Sequence, residues 1–177
     1  MKTTFTYVVT AMMVAGFATC ARAADKKGEL TAKVKEAKAA FIEQDEGLKK
    51  LMGKASGYVI FPSVAKGGLG VGAAMGTGQL FEKHKLLGEA KLTQVSVGFQ
   101  AGGQAYSELI LFEDKTSLDN FKKGNLEVSA QVSAVAATAG ASKNAKYEKG
   151  VLIFTLAKGG LMYEASVGGQ KFKYEAY

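Results

Sequence analysis

Apolar and polar residues along this chain change their period twice, and the changes mark out its elements. Over residues 25–55, Leu30, Val34, Ala37 and Phe41 fall at i, i+4, i+7 and i+11, which is one face of an α-helix. Lys26, Lys27, Lys33, Lys35 and Lys38 lie mostly on the other faces. Beyond Gly47 a second stripe begins with Leu48, Leu51, Met52 and Ala55, so the segment reads as two short helices or as one helix bent at Gly47. Such a pattern suits an amphipathic helix packed on a domain with its lysines in solvent. It suits equally a helix that meets a membrane or an acidic partner.

After Gly57 the period falls to two. Residues 58–61 form a short apolar strand that Pro62, the only proline in the chain, is expected to end. In residues 68–78 the even positions are Gly68, Gly70, Gly72, Ala74, Gly76 and Gly78, and between them stand Leu69, Val71, Ala73, Met75 and Thr77. Successive strand residues point to opposite faces, so one face is almost bare of side chains. A row of glycines weakens a strand, which leaves two structural causes: another element packs on the bare face, or the sheet bends sharply there.

Residues 95–112 alternate again, with Gly102-Gly103 inviting a bulge, and 109–112 run continuously apolar as in a strand buried on both faces. Residues 115–123 read as a helix carrying Leu118 and Phe121, residues 126–137 as one alternating strand, and 143–149 as a polar loop. Further strands follow at 151–156, 161–167 and 171–174, with Gly159-Gly160 and Gly168-Gly169 as turns. The expected fold is α+β: an N-terminal amphipathic helical segment on an antiparallel, glycine-rich, barrel-like sheet of seven or eight strands.

The first residues belong to a different pattern. Lys2 precedes an apolar run over residues 7–18, and Ala21-Arg22-Ala23 has the small-x-small form of a signal cleavage site, so residues 1–23 read as a signal peptide and 24–177 as a single domain. The run is shorter than the roughly 20 apolar residues a spanning helix needs. Export with cleavage after Ala23 is favoured over acylation of Cys20, because Thr19 fits poorly before a lipoprotein cysteine. Of the formal net charge of +7, Lys2 and Arg22 leave with the signal, so +5 remains; that favours anionic surfaces without arguing for nucleic acid.

Cysteine and histidine usage removes much chemistry. Cys20 is the only cysteine and His84 the only histidine, so disulfides, zinc sites and Cys/His nucleophiles have no residue set, and no metal or cofactor is expected. Glu108 and Glu113 are carboxylates of the type glycosidases pair, but no spacing singles out a pair. The stretch from Gly68 to Ala73 matches a relaxed GxGxxA dinucleotide pattern, yet the glycine alternation runs on to Gly78 where a helix should start. The residues point away from an enzyme.

The motifs Ala55-Ser56-Gly57-Tyr58-Val59-Ile60-Phe61-Pro62 and Lys66-Gly67-Gly68-Leu69-Gly70-Val71-Gly72 resemble the SYLF domain family. The likeness continues through residues 96–104 and 108–112 and covers about residues 45–169. The resemblance implies a non-catalytic lipid-binding module: eukaryotic members bind phosphoinositides, some bundle actin, and many exported bacterial proteins share the domain. Membrane binding in the family is associated with a basic amphipathic segment at the domain's N-terminus. By position that segment is Lys33, Lys35 and Lys38 with Val34 and Phe41, the candidate lipid-binding residues. An exported chain would not meet actin, so the implied partner is an anionic phospholipid surface, bound peripherally in the periplasm or envelope. The alternative is a structural module that docks an envelope protein on the bare glycine face.

Overall fold

The computed structural model describes residues 4–128, 134–158 and 167–177, with side chains over 24–68, 72–95, 103–126 and the later described stretches. Helix α1 spans Thr4–Gln44 and helix α2 Gly47–Lys54. The break at Asp45 and Glu46 settles the helical segment as two helices. Residues 1–33 form one compact unit and 34–177 another. Within the first, Glu29 and Lys33 pair across one helical turn at 2.6 Å.

The second unit is organised by one long hairpin. Strand β1 spans Gly57–Glu82 and β2 spans Lys85–Phe112. Lys83 and His84 form the turn, both with positive φ as a type I′ hairpin requires, although neither is the usual Asn or Gly. Pro62 does not end β1. The register shifts between Phe61 and Val64, and a proline is tolerated at such a bulge because no ladder bond is asked of its nitrogen. The Pro62 carbonyl instead accepts the Ser107 hydroxyl at 2.9 Å.

At about 3.3 Å per residue an unbent β1 would reach roughly 85 Å, far more than a domain of this length is wide. The hairpin therefore folds back on itself. The largest register shift sets Leu69 opposite Ala101 but Val71 opposite Val97, so the irregularity lies just before Gly102-Gly103, which pair regularly with Gly68 and Gly67. Past it, the second half of β1 crosses its first half. A Cβ on Gly78 would collide with the Ile60 carbonyl oxygen, and one on Gly76 would come within 2.9 Å of Val64 Cγ2. The bare face at Gly76 and Gly78 is covered by the chain's own strand, which removes it as a partner site.

Helix α3 (Lys115–Lys122) follows, its first turn capped by Asp114, which accepts the Ser117 amide at 2.8 Å. Strand β3 (Glu127–Val128) pairs β6 (Gln170–Ala176), and β4 (Ala134–Ala136) pairs β5 (Val151–Ala157) in parallel. The single strand read over 126–137 is thus two short strands on opposite edges. The strand read over 161–167 falls on residues outside the described ones, save Val167. Among the described residues the sheet has six strands in the order β3-β6-β2-β5-β4, with β1 along β2.

This corrects the barrel expectation. Among the described residues neither β3 nor β4 pairs with β1, so the sheet they form is open, and its β4–β5 pair makes it mixed. Closing a barrel needs a continuous staggered ladder. Here the fold-back stacks two layers face to face: β5 joins β2 over residues 106–112, and β6 joins it over 88–94. Between the layers lie Val59, Phe61, Val64, Leu80, Leu92, Ile110, Phe112, Ile153 and Phe172, with Leu118 and Phe121 of α3. The fold needs no closure because its core is already sealed by this stacking.

The outer face of the first layer carries Tyr58, Ile60, Leu109, Leu111, Leu152 and Phe154, all buried. Val34, Ala37, Phe41, Leu48 and Met52 of the helices are buried in turn, and Lys38 Nζ donates to the Tyr58 hydroxyl at 2.8 Å, which sets residues 34–44 of α1 over this face. Burying each large apolar side chain contributes about 1.5–3 kcal/mol, so this helical cover is a major part of the domain's stability.

Candidate functional site

The helical layer turns its apolar stripe inward and its charges outward, and this decides which sequence-expected residues meet solvent. Phe41 and Val34 are fully buried under the helical layer. Lys35 is exposed; Lys33 is exposed in the first unit and paired with Glu29. Lys38 is half-buried and committed inward: its ammonium lies 5.0 Å from the Tyr58 ring centroid, and Tyr58 stacks on Phe81 at 5.1 Å. His84 closes this aromatic corner with Nδ1 3.5 Å from the Tyr58 hydroxyl, a packing role at the hairpin turn. Of the five candidates, then, the second unit presents Lys35 fully to solvent.

A more basic surface lies one element on. Helix α2 buries Leu48 and Met52, which leaves Lys49, Lys50 and Lys54 exposed on an eight-residue helix that holds no acid. Lys49 and Lys50 line an open cleft of about 740 Å³ with Asp45, Glu46, Gly140 and Lys143. None of Lys49, Lys50 and Lys143 has an ion-pair partner among the described residues. The spacing of Leu48 and Met52 already put these lysines on one face; the part that sequence could not supply was the 139–143 loop across from them.

Asp45 builds the cleft. Its carboxylate accepts the Gly47 amide at 3.0 Å and the Ser142 amide at 2.6 Å, fastening the Ala141–Lys143 turn to the start of α2. Burial pushes the Asp45 carboxyl up, but amides of Ser142, Gly47 and Gly140 outweigh that and hold it below the ordinary carboxylate range. Its charge is therefore spent on backbone donors rather than on the lysines. Gly47 is needed for the close approach, since a Cβ there would collide with Ser142 Oγ. What remains facing outward is three lysines against one exposed carboxylate, Glu46, around an open cleft.

Elsewhere the side chains offer little chemistry. Glu113 is exposed while Glu108 is wholly buried, so the two do not form a working pair. Among the described residues no three His, Cys, Asp or Glu side chains converge on a common point. The Gly68–Ala73 pattern lies inside β1, with strand where a phosphate-binding helix would stand. No helix of the described residues is long and apolar enough to cross a membrane.

Residues 93–176 match the family model described as Ysc84, Las17-binding protein actin regulator. This stretch, covering most of β2 and everything to β6, is a SYLF/Ysc84-like domain; the 139–143 side of the cleft lies within it and α2 outside. The chain is also 32% identical over 139 residues to beta cell expansion factor A of Aeromonas veronii, across 75% of this chain and 50% of that protein. The chain thus spans about half the length of this curated relative.

Proposed function

We propose that this chain is a non-catalytic, peripheral module that binds anionic phospholipid surfaces, and that the SYLF-type architecture extends over the whole second unit. The observation that carries the reading is the α2 cleft, where Lys49, Lys50 and Lys143 face solvent without carboxylate partners while Asp45 is held by backbone amides. Lys35 and Lys54 widen the cationic face, and Lys33 adds charge in the first unit. Each lysine near an anionic surface contributes about 1 kcal/mol, so three to five give a reversible, salt-sensitive attachment. With Val34 and Phe41 buried, binding is by headgroup contact without insertion of the helical stripe. Export to the periplasm or envelope, with residues 1–23 removed, places this surface beside phospholipid. The actin regulation named for the family is not part of the proposal, because an exported protein does not meet actin.

Flotation of the purified chain with liposomes tests this. Binding to vesicles containing phosphatidylglycerol, absent with phosphatidylcholine alone and weakened by salt, is expected. Lys49→Glu with Lys50→Glu should abolish it, and a Lys33→Glu, Lys35→Glu, Lys38→Glu variant should weaken it less. Failure to float under any condition sinks the lipid reading. One observation favours a second reading, a protein-docking module: Met75 and Val95 stand 66% and 72% exposed on the outer face of the second layer. Under that reading Met75→Ser, and not the lysine changes, would disrupt the protein's association in envelope extracts.

A further inference from the structure

The space between the two sheet layers is apolar except at one place. Tyr106 and Glu108 project inward from β2, on the same face as Ile110 and Phe112, and Gln170 projects inward from β6 in register with Phe172. Glu108 and Gln170 are fully buried and Tyr106 nearly so. Gln170 Nε2 donates to Glu108 Oε2 at 2.9 Å, a bond that ties the first layer to the second. The Tyr106 hydroxyl lies beside both. Yet three oxygens of the trio have no hydrogen-bond partner: Glu108 Oε1, Gln170 Oε1 and the Tyr106 hydroxyl.

Counting donors resolves this. An ionised Glu108 only accepts; the second Gln170 N–H diverges from the carboxylate that the first one meets and cannot serve its own Oε1, so the Tyr106 O–H is the one donor left for two orphaned acceptors. One added proton on Glu108 Oε1 removes the shortage. Glu108 then donates to the Tyr106 oxygen, Tyr106 donates to Gln170 Oε1, and Gln170 Nε2 donates to Glu108 Oε2, which leaves none of the three orphaned. The alternative is a buried carboxylate on which no cation of the described residues acts: Phe61 of β1 and Thr155 of β5 flank Glu108 in the sheet, Lys66 stands on the same face of β1 beyond Val64, and of the groups that act on Glu108 only Tyr106 titrates. Leaving such a charge unpaired is among the most costly arrangements in a core.

We propose that Glu108 is a neutral carboxylic acid in the folded domain and closes a hydrogen-bonded ring with Tyr106 and Gln170, a latch between the two layers that is released when the carboxyl ionises. Burial pushes the Glu108 carboxyl up to about 7, against the Gln170 amide bonded to it and the Tyr106 hydroxyl beside it, which lower it. Burial, and then the nearby Glu108 charge, push the Tyr106 phenol well above its ordinary range, so Tyr106 stays a donor throughout. The latch thus responds to pH near neutrality. Because the folded-state value lies above the unfolded one, the latch contributes fully at low pH. Its contribution drains away as pH climbs from about 4.5 to about 7, while the unfolded state alone gains by ionising.

Urea unfolding of the full chain at about pH 5 and about pH 8 tests the latch. The unfolding constant should rise on the order of a hundredfold across that interval. Glu108→Gln, whose amide can donate to Tyr106 while its oxygen accepts from Gln170, should remove most of the rise. The same rise in Glu108→Gln as in the parent chain overturns the proposal. Should that variant fail to fold, carboxyl carbon NMR on the parent chain decides: a Glu108 midpoint near neutrality supports the latch, and one in the ordinary glutamate range overturns it.

Discussion

Asp45 and Glu108 are both buried carboxyl groups, and their surroundings drive them in opposite directions. Asp45 sits where two chain segments end, and backbone amides from Gly47, Ser142 and Gly140 turn toward it. Glu108 sits in mid-strand, where its neighbours' amides are used by the ladder, and among the described residues the donors within its reach are two side chains, Gln170 Nε2 bonded to it and the Tyr106 hydroxyl beside it. The first carboxyl is held below its ordinary range and the second is pushed up to about 7. Burial penalises the charged form of both, so the supply of free donors decides the outcome. Helix starts and turns have such donors to spare, and sheet interiors do not.

The largest expected effect comes from removing the ring altogether. Glu108→Ala leaves the Gln170 amide unpaired and a void between the layers, and should lower unfolding stability by about 2–4 kcal/mol, read by urea denaturation. Exchanging each acid for its amide sharpens the comparison further, because one chemical change should act with opposite signs. Asp45→Asn turns one acceptor into a donor facing the Ser142 or Gly47 amide and should cost about 1–3 kcal/mol at pH 8. Glu108→Gln supplies the donor its site lacks and should gain about 2 kcal/mol at the same pH. Equal signs for the two exchanges would break the comparison.

A pH series on the parent chain places both groups on one curve. The folded-state value of Asp45 is lowered, so its stabilisation is present above the ordinary aspartate range near 4 and is lost as pH falls below it. The folded-state value of Glu108 is raised, so its stabilisation is lost as pH rises between about 4.5 and 7. Stability should therefore peak near pH 4–5 and fall on both sides. A peak above pH 7 would mean that Glu108 is ionised in the fold.

Residue periodicity made the elements legible and left their assembly hidden. The stripe Val34, Ala37, Phe41 and the strand at 109–112 both lie where their patterns put them, buried, because period reports which side of an element is apolar. The glycine row at 68–78 reads as a place where the sheet bends or is covered, and at Gly76 and Gly78 it is covered by the chain's own strand. Period alone cannot tell closure from fold-back, since both need a face without side chains; the pairing decides it, because among the described residues β1 pairs only β2. Alternation over 126–137 hid a change of sheet edge, because the pattern records facing and not pairing partners. The acids show the same limit. Glu108 and Glu113 look alike in the sequence, and a buried carboxyl is recognisable only once Gln170, 62 residues away, is seen to bond to it.

The smallest expected effect on stability is also the sharpest test of what the outer surface is for. Lys49 and Lys50 are exposed, make no ion pair among the described residues, and lie on α2 opposite its buried Leu48 and Met52. Replacing both by Glu removes no packing and no hydrogen bond, so urea stability should stay within about 0.5 kcal/mol of the parent chain. Two reversals change the cleft by four charges, however, and at about 1 kcal/mol per lysine near an anionic bilayer they should cost at least tenfold in partitioning to phosphatidylglycerol vesicles. Asp45→Asn should behave the other way, losing stability while the lysines keep most of their affinity, because it loosens the 139–143 turn without touching their charge. A lysine variant that unfolded would show the surface to be structural. Unchanged stability with lost vesicle binding would separate the cleft's two halves, an acid that holds the fold and lysines free to meet a membrane.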